Sequence, residues 1–179
     1  MLIEFCGKKP AVPGSCFVAA SAELVGEITL GENVNIWYGT ILRGDINSIH
    51  VGDDTNIQDG SIVHVDRGSE KPGSGTVKIG SKVTIGHRAV IHACEIGDNC
   101  LIGMGAVVLS GAVIGSGSVL AAGTVVRENE VIPPGSLVAG VPGKVKGEVA
   151  LEWSQRIIES AKNYVALGQR HKNSTQVLK

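Results

Sequence analysis

An aliphatic residue returns every six positions along most of this chain, and this period constrains the fold more than any other feature of the sequence. The rhythm contains a three-residue insertion before Val51, a longer break after Val63 and a five-residue step at Ile96. A period of six fits neither an α-helix nor a simple strand alternation, but it fits a short strand and a corner repeated around a solenoid. The sequence therefore predicts a parallel β-helix. The series is Leu24, Leu30, Ile36, Leu42, Val51, Ile57, Val63, Ile79, Ile85, Ile91, Ile96, Ile102, Val108, Ile114, Leu120, Val126, Ile132 and Val138.

This pattern resembles the left-handed β-helix of hexapeptide-repeat proteins, in which three hexads make one triangular coil. The resemblance implies an all-β solenoid whose coils stack about 4.8 Å apart with the aliphatic residues pointing inward. The left hand comes from the resemblance alone, because general connection rules favour the right hand. With 25 glycines and only 3% aromatic residues, the core must be built from small aliphatic side chains.

The chain divides into a solenoid domain and a short helical segment. At 179 residues it is long enough for one domain with a full core. Residues 1–16 are expected to lead into a β-helix that occupies 1–146, and the polar run at about 66–76 should be a loop ejected from it. Apolar residues three or four apart from Glu148 to Gln169 predict an amphipathic helix, so 147–179 should form a helix packed along the solenoid with a frayed tail.

Charge and composition exclude several classes of partner. A formal net charge of -1 offers no basic surface for nucleic acid, and no apolar run is long enough to span a membrane. The N-terminus lacks the pattern of a signal peptide. The four cysteines form no C-x-x-C pair, so we expect reduced, structural thiols in a soluble cytoplasmic protein.

Counting three hexads per coil brings two histidines into one column. Val63 and Ile91 then begin strands that lie one above the other, so His64 and His92 occupy the same outward position, with Arg43 one coil below. Two imidazoles about 4.8 Å apart suit a shared metal ion, although stacked surface histidines also arise without any function. His87 belongs to the neighbouring face, near a corner, and a second subunit could supply it. His50 and His171 are expected to be solvated.

At these residues the chain resembles the γ-class carbonic anhydrases and their close relatives. The runs LRGDINSIHVGDDTNIQDGSIVH, Leu42 to His64, and IGHRAVIHACEIGDNCLIGMGA, Ile85 to Ala106, look like the core of that family, and the resemblance extends over almost the whole chain. It implies a homotrimer in which His64 and His92 of one subunit and His87 of its neighbour bind a metal ion. Imidazole ligands suit Zn(II), Fe(II) and Co(II) alike, with Zn(II) as the first expectation.

The same resemblance assigns roles to other residues. It implies that Arg43 and Asp45 form an ion pair at the trimer interface, and that Asn56 and Gln58 flank the metal-bound solvent. Turn and ladder hydrogen bonding is the alternative role for these two amides. Tyr164 resembles the C-terminal aromatic residue that closes the site. The implied reaction is the reversible hydration of carbon dioxide to bicarbonate by a metal-bound hydroxide.

One departure from the family pattern lowers the expected activity, and other functions stay open. Some members have a Glu soon after the Arg-x-Asp segment as a proton shuttle, whereas here Ile46 follows Asp45 directly, so proton release is expected to be slow. A metal-dependent esterase or thioesterase acting on a small acyl substrate is the first alternative. A hexapeptide-repeat acyltransferase using acyl-CoA is the second, and a non-catalytic assembly subunit is the third.

Overall fold

The six-residue series points into the interior of a left-handed parallel β-solenoid of about 7 turns, which one α-helix follows. The computed structural model describes residues 1–68 and 73–174. Every residue of the series is buried, with at most 4% of its surface exposed, so the prediction of a solenoid core is confirmed. The elements are β1 (Leu2–Ile3), β2 (Phe17–Val18), β3 (Glu23–Leu30), β4 (Asn35–Ile36), β5 (Ile41–Val51), β6 (Asn56–Ile57), β7 (Ile62–His64), β8 (Val77–Ile79), β9 (Thr84–Ile85), β10 (Val90–His92), β11 (Glu95–Ile96), β12 (Leu101–Ile102), β13 (Val107–Val108), β14 (Val113–Ile114), β15 (Val119–Leu120), β16 (Val125–Val126), β17 (Val131–Ile132), β18 (Ser136–Ala139), β19 (Lys144–Glu148) and α1 (Leu151–Ser174).

Three ladders of parallel strands form the faces of the solenoid. The first face joins the start of β3 and of β5 to β7, β10, β13 and β16. The second joins the ends of β3 and β5 to β8, β11, β14 and β17. The third runs through β2, β4, β6, β9, β12, β15 and β18, and antiparallel β19 closes it. Because each strand pairs in register with the strand one coil away, outward side chains form straight columns.

Residues in the left-handed backbone conformation turn the chain at the corners between faces. Between the third and first faces these residues are Gly39, Gly60, Arg88, Gly105 and Gly123, each with φ between 57° and 71°. Apart from Gly39, whose amide donates to Ser21 Oγ, their amides donate to carbonyls one coil below, as when Arg88 N–H bonds Asp59 O at 3.0 Å. Glycine adopts this conformation without the penalty that a Cβ brings. The corners therefore extend the backbone ladder between successive coils.

The two largest interruptions of the period have different structures. The insertion before Val51 is not a loop, because β5 continues through it as an 11-residue strand that belongs to both the first and the second face. The ejected loop lies between β7 and β8, and its base is closed where the Asp66 amide donates to Gly75 O at 2.8 Å. Asn47 Nδ2 supports this base by donating to Asp66 O and to Ser74 O. Residues 69–72 of the predicted loop lie outside the described residues.

The C-terminal helix is shifted along the chain relative to its predicted position. It covers Leu151–Ser174, because 147 and 148 belong to β19 and pair antiparallel with β18. Its buried residues, Ile157, Ala161 and Gly168, form the stripe that packs against the third face. The last residues expected to fray, 175–179, lie outside the described part. Among the described residues no helix is long and apolar enough to cross a membrane, and the cytoplasmic location stays a prediction.

Aromatic residues at the start of the third face hold the end of α1. The Tyr38 hydroxyl lies 3.0 Å from His171 Nδ1, and the His171 ring lies 4.9 Å from that of Trp37 between ring centroids. His171 was expected to be solvated, and the structure instead leaves it partly exposed against Trp37 and Tyr38. A sequence does not reveal which coil a distant helix reaches. Gly168 sits so close to Asn35 that an added Cβ would lie 3.0 Å from that side chain.

The four cysteines differ in access to solvent, and all are free thiols. Cys6 is exposed, whereas Cys16, Cys94 and Cys100 are buried. Burial raises the pKa of Cys94 to about 12 and that of Cys100 to about 11, and it also raises the pKa of Cys16. The buried thiols are therefore protonated at neutral pH and shielded from reagents.

We expect one cysteine to react rapidly with a thiol-specific disulfide reagent in the native protein and all four to react after denaturation. The fast phase should disappear in Cys6→Ser, since thiolate fraction and exposure govern the rate. The absorbance of the released thiolate at pH 8 gives the number of reactive cysteines in the native and in the denatured protein. A fast phase of more than one equivalent in the native protein would contradict the burial of the other three.

Candidate metal centre

His64 and His92 lie side by side on the first face, as the column count predicted. Their strands pair in register, with Val63 opposite Ile91 and His64 opposite His92. His64 Nδ1 lies 3.2 Å from His92 Nε2, and the ring centroids are 5.1 Å apart. Arg43 lies one coil below His64, at the register position opposite it. The parallel ladder therefore converts a spacing of 28 residues into a pair of facing ring nitrogens.

The remaining nitrogens of these two rings have polar partners. His64 Nε2 lies 3.3 Å from Asp45 Oδ1, and His92 Nδ1 lies 2.9 Å from Ser110 Oγ. Such contacts hold an imidazole ring in one orientation while its other nitrogen stays available for a ligand. Sequence reasoning missed Ser110, because the residue one coil above His92 in the same column is Leu109 and Ser110 lies one position beyond it.

Arg43 and Asp45 form an ion pair beside His64 within one chain. Burial opposes ionisation of Asp45, but the hydrogen bonds from Arg43 and His64 outweigh it and hold the pKa of this carboxyl below its usual range. Burial lowers the pKa of His64, and the positive charge of Arg43 lowers it further. His64 is thus held neutral, the protonation state in which imidazole binds a metal ion.

His87 lies away from this pair, at the corner between the third and first faces. It follows β9 and directly precedes Arg88, which turns the chain there. His87 Nδ1 contacts Asp59 Oδ2 at 2.9 Å, and the two side chains are 44% and 42% exposed. Sequence reasoning missed Asp59, which occupies the equivalent corner position one coil below. The exposed pair leaves one nitrogen of His87 available to a group outside this chain.

Gln58 and Tyr164 lie with His87 along a cleft between the third face and α1. Asn56 is fully buried, and its amide donates to Thr84 Oγ1 at 2.9 Å while its oxygen accepts from Gln58 Nε2 at 3.1 Å. This is the ladder bonding considered as the alternative role for Asn56. Burial, assisted by the charge of Asp59, raises the pKa of Tyr164, so its hydroxyl stays protonated.

The chemistry of the histidine pair fits a divalent metal ion. Two Zn–N bonds of about 2.0–2.1 Å at a tetrahedral angle place their nitrogens about 3.3 Å apart, and the observed separation is 3.2 Å. In the part of the chain that the structure describes, no group of three or more His, Cys, Asp or Glu side chains is arranged to hold a metal ion. A single chain thus offers the two facing imidazoles of His64 and His92, and its third candidate ligand, His87, lies at a different corner of the solenoid.

Comparison with known proteins connects this geometry to named relatives. A family model described as bacterial transferase hexapeptide (six repeats) matches residues 76–108 and 93–128. A protein of Arabidopsis thaliana named gamma carbonic anhydrase 2, mitochondrial, is 42% identical over 95% of this chain, which spans 61% of that relative's length. A carbonic anhydrase of Geobacillus kaustophilus is 34% identical over 96% of this chain and 91% of its own. A crystal structure of a hexapeptide transferase family protein from Anaplasma phagocytophilum is 40% identical, with a TM-score of 0.87 over 94% of this chain and 96% of that one.

In metal-free protein, we expect the proton NMR titration of His64 to have its midpoint below the ordinary value of about 6.5. Arg43→Gln should raise the midpoint, because it removes a nearby positive charge and leaves the Asp45 carboxylate free to stabilise the imidazolium. Arg127→Gln, which changes an arginine farther up the same face, is the control and should leave the midpoint in place. A midpoint that is unchanged or lowered in Arg43→Gln would contradict the electrostatic account.

Proposed function

Since this chain belongs to the γ-class carbonic anhydrase-like family of hexapeptide-repeat proteins, we propose that it catalyses the reversible hydration of carbon dioxide with a divalent metal ion. The observation that carries the proposal is the 3.2 Å separation of His64 Nδ1 and His92 Nε2, which suits two ligands of one ion. When bound, such an ion supplies Lewis-acid activation of water at neutral pH. Zn(II) is the proposed metal, with Fe(II) and Co(II) as alternatives for the same imidazole donors.

The third ligand in this proposal is His87 of a neighbouring subunit. The His64–His92 pair and the exposed His87 lie on different parts of the solenoid, so a contact between subunits has to join two different patches. A contact of that kind is head-to-tail and closes into a ring when the rotation permits. A homotrimer with three such junctions would complete three metal sites.

An apolar stripe on the first face supports this assembly. The outward position two residues before His64 and His92 is aliphatic in successive coils, and these side chains are half-buried in the single chain. The corresponding column of the second face begins with His50, Lys78 and Glu95 and becomes aliphatic only at Val113 and Val131. A continuous apolar column beside a candidate site is typical of a protein interface. The column consists of Ile41, Ile62, Val90, Val107 and Val125.

The remaining residues would position the ligands and the substrate. Asp45 accepts a hydrogen bond from His64 Nε2, and Asp59 accepts one from His87 Nδ1, so each carboxylate orients a ring. Gln58 Nε2 donates to Asn56 Oδ1, which fixes the amide that would orient the attacking water. Arg43 would contribute to docking through its exposed guanidinium. Ile46, 47% exposed beside Asp45, provides no titratable group for proton release, so slow turnover is expected.

Two other functions retain specific support. A metal-dependent esterase or thioesterase would use the same ligands on another carbonyl, and the cleft beside His87 offers space for an acyl group. An acyltransferase is favoured by the transferase names of the matching family model and of the Anaplasma structure. That alternative does not account for the facing imidazole nitrogens of His64 and His92.

Removal of one ligand should abolish both metal binding and hydration. Because Lewis-acid stabilisation is worth several kcal/mol and each ~1.4 kcal/mol is a factor of ten in rate, we expect His64→Ala to lower carbon dioxide hydration at least about 100-fold. Elemental analysis of protein purified without a histidine tag should find the metal lost as well. His50→Ala, which removes an exposed histidine of the second face, is the matched control and should retain both properties. Full hydration activity after removal of the metal by a chelator would refute the proposal.

Mixing two inactive variants should restore activity if the site is shared. His64→Ala and His87→Ala homotrimers each lack one ligand at every site. In a mixed trimer, an intact His64–His92 pair can meet the intact His87 of its neighbour, so metal and activity should return at some interfaces. Co-expression with two different affinity tags and tandem purification isolates these mixed trimers. Verified mixed trimers without metal or activity would contradict a site shared between subunits.

A further inference from the structure

The first turns of α1 stand away from the third face and leave an elongated cleft of about 680 Å³. The helix packs against β2, β4, β6 and β9, near the beginning of the solenoid. The cleft continues beyond this contact, where the outward residues of β12, β15 and β18 form its floor and the start of α1 forms its wall. A volume between about 300 and 1,000 Å³ is typical of small-molecule sites.

The lining of the cleft is apolar along its length. Leu101, Val119 and Leu137 stack in one column of the floor, since their strands pair in register. Leu137 and Trp153 are 37% and 48% exposed, and Met104, at the neighbouring corner, is 58% exposed. Large apolar side chains exposed together around one concavity indicate a surface that is covered by a ligand.

The polar groups of the cleft are concentrated near one end. Gln58, His87 and Tyr164 converge there, where the amide and the protonated hydroxyl are hydrogen-bond donors. Glu148 lies at the other end of the floor, on the last strand. None of the cleft-lining residues in the described part of the chain is Lys or Arg, which disfavours a polyphosphate group as the occupant.

We propose that this cleft binds a single aliphatic chain whose carboxylate or carbonyl end accepts hydrogen bonds from the Gln58 amide and the Tyr164 hydroxyl, beside His87. From β6 to β18 the third face has five strands about 4.8 Å apart, so the cleft floor and its polar end span about 19 Å. An extended chain fits this long and narrow shape, and its burial is favoured by about 25 cal/mol per Å² of apolar surface. The proposal rests on the proposed function only in that the polar end of the cleft lies beside His87, the proposed third metal ligand. It names an acyl group as the class of ligand that would reach that site.

The direct test is the binding of sodium decanoate to the wild-type protein, measured by isothermal titration calorimetry below the micellar concentration. Decanoate should bind, and acetate, which has the same head without the tail, should not. Decyltrimethylammonium, which has the same tail and a cationic head, should bind more weakly than decanoate. Equal binding of the two ten-carbon ligands would overturn the assigned orientation, and absence of decanoate binding would overturn the whole proposal.

A matched pair of variants separates the cleft from other apolar surfaces. Val119→Trp fills the floor of the cleft, and Val113→Trp makes the same change at the outward position of β14 on the second face. Steric filling should weaken decanoate at least about tenfold in Val119→Trp, which corresponds to ~1.4 kcal/mol, and leave Val113→Trp unchanged. Equal affinities in the two variants would overturn the proposal.

A second variant covers the case in which Val119→Trp does not fold. Leu101→Gln replaces an apolar floor residue with one of similar length and should weaken decanoate because the tail then loses an apolar contact. Size-exclusion chromatography shows whether each variant still forms the assembly of the wild-type protein. If the wild type does not bind decanoate and the variants lose their assembly, the cleft is part of a subunit interface and the proposal is overturned. Hydration activity is measured separately, so decanoate binding without hydration refutes only the proposed reaction, and hydration without decanoate binding refutes only this inference.

Discussion

In-register stacking of parallel strands is the interaction on which the rest of this structure depends. Each strand of a face bonds the strand one coil away, and residues in the left-handed conformation continue the hydrogen bonding around the corners. The backbone of one coil therefore fixes the position of the next. Buried aliphatic residues stabilise this stack from inside, because each hexad contributes one of them to a continuous core. On the outer surface of the solenoid, each outward-facing residue position becomes part of a column of side chains.

The columns explain why a weak sequence signal becomes a defined arrangement of side chains. His64 and His92 are 28 residues apart, yet the ladder brings their ring nitrogens to 3.2 Å without any loop to position them. Asp45 and Ser110 come from neighbouring coils and orient the two rings. Such a scaffold is rigid, and a rigid scaffold holds ligands within the tolerance that a metal ion requires. The same geometry keeps His87 at a different corner, so the proposed site has to be completed by another subunit.

The helix adds what the repeat cannot supply. A solenoid presents flat faces, whereas a concave surface that reaches His87 lies under α1. Phe17, Trp37 and His171 form an aromatic contact that holds the far end of the helix against the first coils. This anchor places Tyr164 beside Gln58 and His87, while the first turns of α1 stand off and leave the cleft open.

The sequence by itself determined the solenoid, the inward residues of each coil and the column that contains Arg43, His64 and His92. A strict period carries this information, because parallel stacking makes position within the repeat equivalent to position on the surface. The tertiary structure alone decided what departs from the period. It made the insertion before Val51 a continuous strand, moved the helix to Leu151–Ser174, placed His171 among aromatic rings and paired His87 with Asp59. These outcomes depend on contacts between segments with no shared repeat position, and local patterns do not encode which distant segments meet.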